Sequence, residues 1–261
     1  MKYKSLIERC LKEARAEVLG LKERGVALGR GAFGDRTYRI DRVSELAILK
    51  VLEDELPDAS VVSEEFGTVE KGEVTVLIDP IDGSVNSIRG VPIYSIAIAV
   101  AEGRRFGDVV SSGVMDVVHG DIFMAGRGEG AYLNGRRIRV SERGLEDGLI
   151  FVNPSLKPGD ARMLAPLLER ARHPRSLGSA ALETAYVAAG IGDAYVSPAP
   201  RLRPFDCLPS LLLVIEAGGY VKTLNFKLED IPLSTKTGIA YIAANGKALA
   251  EEISALVGGS G

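Results

Sequence analysis

Apolar and polar positions repeat along the chain with two different periods, and each period predicts its own kind of element. Helical spacing over residues 5 to 24 and 41 to 56 predicts two amphipathic helices, the second burying Leu46, Leu49 and Leu52 or Val51. Short apolar runs bounded by turn residues then predict strands at "SVVSEE", "VTVLID", "IYSIAIAVAEG", "FGDVVSSGVMD", "GDIFMAGRGEGAYLNG" and "RRIRVS". The first part of the chain is therefore predicted to be two helices followed by a largely antiparallel meander, an α+β arrangement.

After about residue 144 the pattern changes to strands that alternate with helices. Strands are expected at "LIFVN", "DAYVS", "YVKTL" and "IAYIAAN", and helices at "DARMLAPLLERARH", "SAALETAYVAAG" and "FDCLPSLLLVIEAGG", with turns at "HPRS" and "SPAPRLRP". This alternation predicts an α/β arrangement. We expect an N-terminal domain over 1–143, a C-terminal domain over 144–261, and an active site between them.

Charge and cysteine content narrow the class of protein. The 261 residues include 35 acidic and 32 basic ones, a net charge of −3, which leaves no electrostatic footprint for nucleic acid or an anionic membrane. We therefore expect a small-molecule partner. Cys10 and Cys207 are too few for a disulfide framework and suit a reducing compartment. The N-terminal 25 residues mix charges with apolar positions, unlike a signal peptide, so a cytoplasmic location is expected.

Four acidic positions stand at strand ends or helix starts. Asp79 and Asp82 follow the buried run "VTVLI", Glu64 follows "SVVS", and Asp206 precedes "CLPSLLLVIEAGG". Taken singly, each acid has an ordinary structural explanation as a helix cap, a turn residue or an exposed charge. The "DPID" unit fits that explanation poorly, because two like charges meet without a basic neighbour. Hard cations such as Mg²⁺ bind such oxygens, and two of them can clamp a phosphoryl displacement.

The segment "DGSVN" adds a candidate anion site beside these acids. Gly83 permits an open turn and Ser84 begins what is predicted to be a short helix, so backbone N–H groups could point at a phosphate. The pattern by itself is common in turns.

Together these segments resemble the lithium-sensitive inositol monophosphatase and fructose-1,6-bisphosphatase superfamily of magnesium-dependent phosphatases. The resemblance rests on "VVSEEFG", "IDPIDGSVN" and "FDCLPSLLLVIEAGG", which occur in the family's order, and on "AGRGEGAYLNGRRIRVS" and "LGSAALETAYVAAGIGDAYV" between them. It covers nearly the whole chain. It implies a layered αβαβα sandwich of the sugar phosphatase type, a homodimer, and a phosphate ester as substrate.

The resemblance also implies a role for each matching residue. One Mg²⁺ would take Glu64, Asp79 and the carbonyl of Ile81, a second would take Asp79, Asp82 and Asp206, and a third would sit by Glu64. Gly83 and Ser84 would bind phosphate. Asp41 would pair with the Ser84 hydroxyl, which orients the attacking water, so Glu64, Ser84 and Asp41 are the expected catalytic residues. Ser179 and Ala180, in the matching helix start, are expected to contact substrate.

Departures from the family pattern bear on the substrate. Ala199 stands where animal inositol monophosphatases have a glutamate that contacts inositol, so strict inositol specificity is not expected. Arg201 and Arg203 either meet a second phosphate or are solvated loop residues. If the arginines meet a second phosphate, the chain resembles archaeal dual-specificity members of the family. That resemblance predicts hydrolysis of both inositol 1-phosphate and fructose 1,6-bisphosphate. The two histidines, His119 and His173, are expected at the surface.

Two other functions stay open at this point. One is a nucleotide phosphatase of the same superfamily, acting on 3′-phosphoadenosine 5′-phosphate. The other is a regulator that binds metal or phosphate without catalysis. Such a protein would typically have lost a ligand, whereas all four acids and Ser84 are present here.

Overall fold

The computed structural model describes residues 1–32, 34, 36–154, 160–234 and 236–258. The helices are α1 (Lys4–Gly20), α2 (Arg39–Glu55), α3 (Ser84–Arg89), α4 (Ala165–Arg170), α5 (Ala180–Ala188), α6 (Pro204–Glu216) and α7 (Lys247–Gly258). The strands are β1 (Ala27–Arg30), β2 (Arg36–Tyr38), β3 (Ser60–Ser63), β4 (Gly67–Val69), β5 (Val74–Asp82), β6 (Ser95–Glu102), β7 (Val109–Asp116), β8 (Ile122–Gly126), β9 (Gly130–Leu133), β10 (Arg136–Arg137), β11 (Leu149–Val152), β12 (His173–Arg175), β13 (Ala194–Leu202), β14 (Tyr220–Thr223) and β15 (Ile239–Ala244).

The strands form two main sheets and one small hairpin. The larger sheet has the order β10-β9-β8-β7-β6-β5-β3-β4, and the smaller one the order β12-β11-β13-β15-β14. Neighbours in the larger sheet run antiparallel except β3 and β5, which are parallel. The smaller sheet is mixed, because β11 runs parallel to both β12 and β13 while β15 is antiparallel to its neighbours. Strands β1 and β2 pair with each other.

Three buried clusters show how the layers stack. Helices α1 and α2 pack on the outer face of the larger sheet. Helices α5 and α6 lie between the two sheets, where apolar side chains such as Leu77, Leu212 and Tyr241 form one continuous core. Helices α4 and α7 cover the far face of the smaller sheet. The order helix, sheet, helix, sheet, helix confirms the predicted αβαβα sandwich.

The middle layer joins the two parts of the chain that the sequence pattern separates. Helices α5 and α6 belong to the second part and pack against strands of the first part, including β5, β6 and β7. The boundary between residues 143 and 144 stays a prediction.

Several local predictions need correction. Leu46 is 51% exposed and lies outside the buried face of α2, which contains the predicted Val51 and Leu52 together with Ile48 and the polar Ser44 and Glu45. The segments "HPRS" and "SPAPRLRP" were predicted as turns but contribute to β12 and β13. Their prolines favoured the turn prediction, because proline is uncommon within strands. Helix α7 was not predicted, although Leu249, Ile253 and Val257 recur at helical spacing and are buried.

Two further observations concern the exposure of the histidines and the apolar character of the helices. Both histidines are exposed, as expected. Among the described residues, no helix combines the length and the apolar character needed to cross a bilayer.

Candidate active site

A bulge in β5 places two of the four acids on one face of the larger sheet. Asp79 pairs with Ala97 of β6 and Asp82 pairs with Ser95, so β5 has one more residue than β6 between these pairs. In a regular strand, residues three apart point to opposite faces. Because Ala97 and Ser95 are two residues apart and share a face, their partners Asp79 and Asp82 share that face as well.

The parallel pairing of β3 with β5 brings Glu64 to the same place. Ser63 lies opposite Ile78 in this ladder, and the residues that follow them in the chain are Glu64 and Asp79. Because parallel strands end at the same sheet edge, the two carboxylates come together although fifteen positions separate them. The carboxylate of Asp79 is buried, and the side chain of Glu64 is 13% exposed.

Asp206 arrives from the middle helical layer. It is the third residue of α6, and its Oδ2 accepts a hydrogen bond of 2.6 Å from the backbone N–H of Arg203, the residue that caps the helix. This reciprocal capping satisfies an N–H that the helix itself leaves unpaired. Helix α6 packs against β5, which brings the acid to the sheet face that carries Asp79 and Asp82.

Asp41 and Ser84 form a hydrogen-bonded pair beside the acids. Asp41 is the third residue of α2, where its Oδ2 accepts from the backbone N–H of Tyr38 at 2.7 Å. Its other oxygen, Oδ1, accepts from the Ser84 hydroxyl at 2.6 Å. The carbonyl of Ile81 lies 3.0 Å from the same hydroxyl. The structure therefore brings together the three residues that the resemblance connects with the attacking water and one cation.

Gly83 occupies a position that only glycine suits. Its φ of +93° lies in the left-handed region, and a Cβ there would stand 3.0 Å from the carbonyl oxygen of Gly178 and 3.3 Å from that of Ile93. Asn86 holds this packing together, because its Nδ2 donates at 2.7 Å to the carbonyls of both Ile93 and Leu177. The turn that begins α3 is thus pressed against the loop that precedes α5.

Asp82 is held by three hydrogen bonds, two from the start of α5 and one from β6. Its Oδ2 accepts hydrogen bonds from the Ser179 hydroxyl at 2.6 Å, from the backbone N–H of Ala181 at 2.8 Å and from the Ser95 hydroxyl at 3.3 Å. The two serine hydroxyls lie 3.1 Å apart. These contacts orient the carboxylate from one side.

The acids are close enough together to shift one another's protonation. Burial raises the pKa of Asp79 well above its ordinary value, and repulsion from Glu64, Asp82 and Asp206 raises it further. Burial raises the pKa of Asp82 to about 6 against the opposing hydrogen bond from Ser179. The pKa of Glu64 is also raised, by burial first, while the nearby Arg203 guanidinium opposes that shift. The cluster is therefore short of positive charge.

The residues present fit a divalent cation. Asp79 Oδ1 is buried and has no hydrogen-bond partner among the described residues, which leaves a carboxylate oxygen available for a cation. Four carboxylates and a backbone carbonyl form the donor set that Mg²⁺ prefers. Within the described ranges no three His, Cys, Asp or Glu side chains already stand in a metal-binding arrangement. Arg203 contacts two of the acids, Glu64 and Asp206, in this structure.

The four residues expected to meet substrate have varied surroundings. Ser179 is buried, and its hydroxyl is engaged with Asp82. Ala180 is 8% exposed, at the first position of α5. Arg201 forms a two-pronged ion pair with Asp160, with contacts of 2.6 and 3.0 Å. Arg203 points into the acidic cluster, and neither arginine is a solvated loop residue.

Several residues that support the site were not singled out from the sequence. Ser95 reaches Asp82 through the β5 and β6 register, and Ser44 of α2 donates to the carbonyl of Pro80 at 2.7 Å. Glu183 accepts hydrogen bonds from the backbone N–H groups of residues 177 to 179. Burial raises the pKa of Glu183 to about 7. A buried acid inside the apolar run of α5 was the available signal for Glu183.

Several known proteins resemble this chain over most of its length. The sequence profile of the inositol monophosphatase family matches residues 7–260. A fructose-1,6-bisphosphatase/inositol-1-monophosphatase of Thermococcus kodakarensis is 35% identical over 238 residues, which cover 89% of this chain and 88% of the relative. The Nus factor SuhB of Haemophilus influenzae is 37% identical over 195 residues, covering 72% of this chain and 71% of that protein. The solved structure of a Thermotoga maritima IMPase superposes with a TM-score of 0.84 at 31% identity, covering 99% of this chain and 98% of the other.

Proposed function

The chain belongs to the inositol monophosphatase family, and from this membership we propose that it is a magnesium-dependent phosphatase of inositol 1-phosphate and fructose 1,6-bisphosphate. The broader statement follows from the family itself: the protein is a phosphatase whose substrates are small phosphate esters. The substrates, the metal and the residue roles are the proposal. The observation that carries them is the contact between Ser84 and Asp41 beside four acids, of which Asp79 and Asp206 are buried.

The Ser84 hydroxyl is arranged to position a water molecule. Its proton is directed to Asp41 Oδ1 at 2.6 Å, so the lone pairs of Oγ are left to accept a hydrogen bond from water. Burial raises the pKa of Asp41 to about 6, while the hydrogen bond from Ser84 opposes that shift. Above that pH the carboxylate is ionised and can orient the hydroxyl. Ser84 and Asp41 therefore act as the pair that holds the nucleophilic water.

Gly83 and Ser84 supply the phosphate contacts. Gly83 caps α3 with a left-handed φ, and the backbone N–H groups at the start of a helix have no partners within the helix. Such groups bind anions without bringing a counter-charge of their own. The packing of Gly83 against Gly178 fixes where the phosphoryl group would lie relative to the four acids.

The acids would hold the cations. Glu64, Asp79 and the Ile81 carbonyl form one proposed set, Asp79, Asp82 and Asp206 form a second, and a third ion would lie by Glu64. When bound, Mg²⁺ supplies Lewis-acid chemistry that neutralises negative charge on phosphoryl oxygens. The chain's own contribution is orientation: hydrogen bonds at Oδ2 hold the Asp82 carboxylate in place, and the β5 bulge puts Asp79 on the same face of the sheet.

The site recognises the phosphoryl group of the ester more than its alcohol part. Position 199, seven residues before Asp206, is a buried alanine that offers no carboxylate to inositol hydroxyls. A site with few polar groups for the alcohol discriminates weakly between alcohols. This supports two substrates, as does the name of the Thermococcus kodakarensis relative. The SuhB relative, named as a Nus factor, supports the alternative of a role without catalysis.

Phosphate release from a substrate panel tests the proposal. The panel consists of inositol 1-phosphate, fructose 1,6-bisphosphate and 3′-phosphoadenosine 5′-phosphate, each with Mg²⁺ and with a chelator. We expect release from the first two, in Mg²⁺ only. Asp79→Asn should abolish it, because Asp79 is proposed to serve two ions, whereas Asp54→Asn, on the exposed face of α2, should not. Preference for the nucleotide would favour the alternative phosphatase, and no release from any ester would favour the regulator.

Three further properties accompany the proposal without separate support. Inhibition by lithium, assembly as a homodimer and a cytoplasmic location stay predictions from the family resemblance and the composition.

A further inference from the structure

Arg203 lies inside the acidic cluster. The residue caps α6, and its side chain turns back toward the end of β3. One terminal nitrogen, Nη2, lies 2.6 Å from Glu64 Oε1 and 3.3 Å from Asp206 Oδ1, and Nε lies 3.2 Å from Asp206 Oδ2. The guanidinium also lies 4.8 Å from the ring centre of Phe205. These contacts hold a cationic group between acids that come from two different layers of the fold.

The contacts use the oxygens that a metal ion would need. Glu64 and Asp206 belong to different proposed cation sets, and Arg203 donates to both of them. A guanidinium is a planar cation whose N–H groups suit carboxylates, so it partly neutralises the cluster. It carries one positive charge against four acids. A divalent ion carries two positive charges. The guanidinium and the ion would repel each other strongly if both contacted the same carboxylate oxygens.

The Arg203 side chain is held by these contacts but is only partly buried. Arg203 is 22% exposed, so a path to solvent exists for its guanidinium. Arg201 provides a contrast two residues earlier, since its ion pair with Asp160 involves none of the four acids.

We propose that Arg203 is the internal counter-cation of the acidic cluster, and that a divalent ion must displace its guanidinium from Glu64 and Asp206 in order to bind. The inference rests on the proposed function, because it takes these two acids as cation ligands. It adds a property that the function alone does not require: the chain limits its own metal affinity. It also explains how four neighbouring acids are tolerated in the protein without metal.

Calorimetric titration of Mg²⁺ into the metal-free protein tests the proposal. Arg203→Met removes the charge and keeps a long side chain, and we expect it to bind Mg²⁺ at least about 10-fold more tightly than the parent. The metal-free variant should also melt at a lower temperature, with a larger rise on adding Mg²⁺, because its acids have lost their counter-ion. Arg203→Lys, which keeps the charge, should lie between the two. Arg201→Met is the matched control and should leave Mg²⁺ affinity unchanged.

A measurement on the parent protein guards against a variant that fails to fold. The ¹⁵N-labelled side-chain Nε–H signal of Arg203 should move as Mg²⁺ is added and saturate with the binding isotherm, while that of Arg201 should not. Unchanged or weaker Mg²⁺ affinity in Arg203→Met, or an Arg203 signal indifferent to bound Mg²⁺, would overturn the inference and leave the proposed function standing. A parent protein that binds no Mg²⁺ would overturn both.

Discussion

Replacing Gly83 with alanine tests whether the turn before α3 is placed by close packing. Two costs are expected. A residue with a Cβ in the left-handed region costs about 1–2 kcal/mol relative to the right-handed one. The added Cβ would also stand 3.0 Å from the Gly178 carbonyl oxygen and 3.3 Å from that of Ile93. Asn86 holds Ile93 and the neighbouring Leu177 carbonyl, so the surroundings cannot easily give way.

Gly90→Ala separates these two costs. Gly90 ends the same helix with a φ of +77°, so alanine there meets similar backbone strain. Among the described residues, however, no non-neighbouring atom lies within 4 Å of the added Cβ. The control should lose about 1 kcal/mol of the free energy of unfolding. Gly83→Ala should lose a further 1–3 kcal/mol or so, the usual cost of forcing an extra methyl into a packed site.

Activity should separate the two variants more sharply than stability. A displacement of about 1 Å in a bound reacting group can cost roughly 100-fold in rate. Gly83→Ala should therefore lower kcat/KM for phosphate release about that much, while Gly90→Ala stays close to the parent. Denaturant unfolding and steady-state kinetics on both variants measure the two effects. Equal losses of stability together with equal kcat/KM would refute the reasoning, since the contact with Gly178 would then have no consequence.

Two other expectations concern buried and exposed hydrogen bonds. Ser179→Ala removes a buried hydroxyl that donates at 2.6 Å to the half-buried Asp82, and should cost about 1.5–3 kcal/mol in denaturant unfolding. Ser112→Ala removes a buried hydroxyl with no partner among the described residues and should cost little; equal costs would contradict this. The Asp116 carboxylate lies 2.7 Å from His119 and raises the pKa of that exposed imidazole above 6.5. The ion pair between them therefore stabilises the fold below pH 6.5, and this stabilisation is lost as the pH rises through the raised pKa. His119→Ala should thus lower the free energy of unfolding more at pH 5.5 than at pH 9, and the difference should be under about 1 kcal/mol because solvent screens the pair. A loss that does not change with pH would assign His119 no ionic role.

Local chemistry explains why much of the fold, and the acids of the candidate site, could be predicted from the sequence. The periods of apolar residues indicate the main strands and helices, because burial of one face requires them. The acids are recognisable because an acid after a buried strand is costly without a counter-charge. Asp41 and Asp206 lie at the third position of their helices, where a carboxylate can pair with the capping N–H, a relation between residues three apart.

Other features depended on contacts between distant parts of the chain. The bulge that aligns Asp79 with Asp82 exists only relative to β6, and the bracing of Asp82 by Ser179 joins residues 97 positions apart. The same holds for Arg203, whose partner Glu64 is 139 positions away, and for Arg201, which forms an ion pair with Asp160. The sequence by itself determined which residues could bind a cation and a phosphate, since that follows from side-chain chemistry and local order. The tertiary structure decided which charges neutralise one another, because an ion pair depends on distance in space, and packing sets that distance.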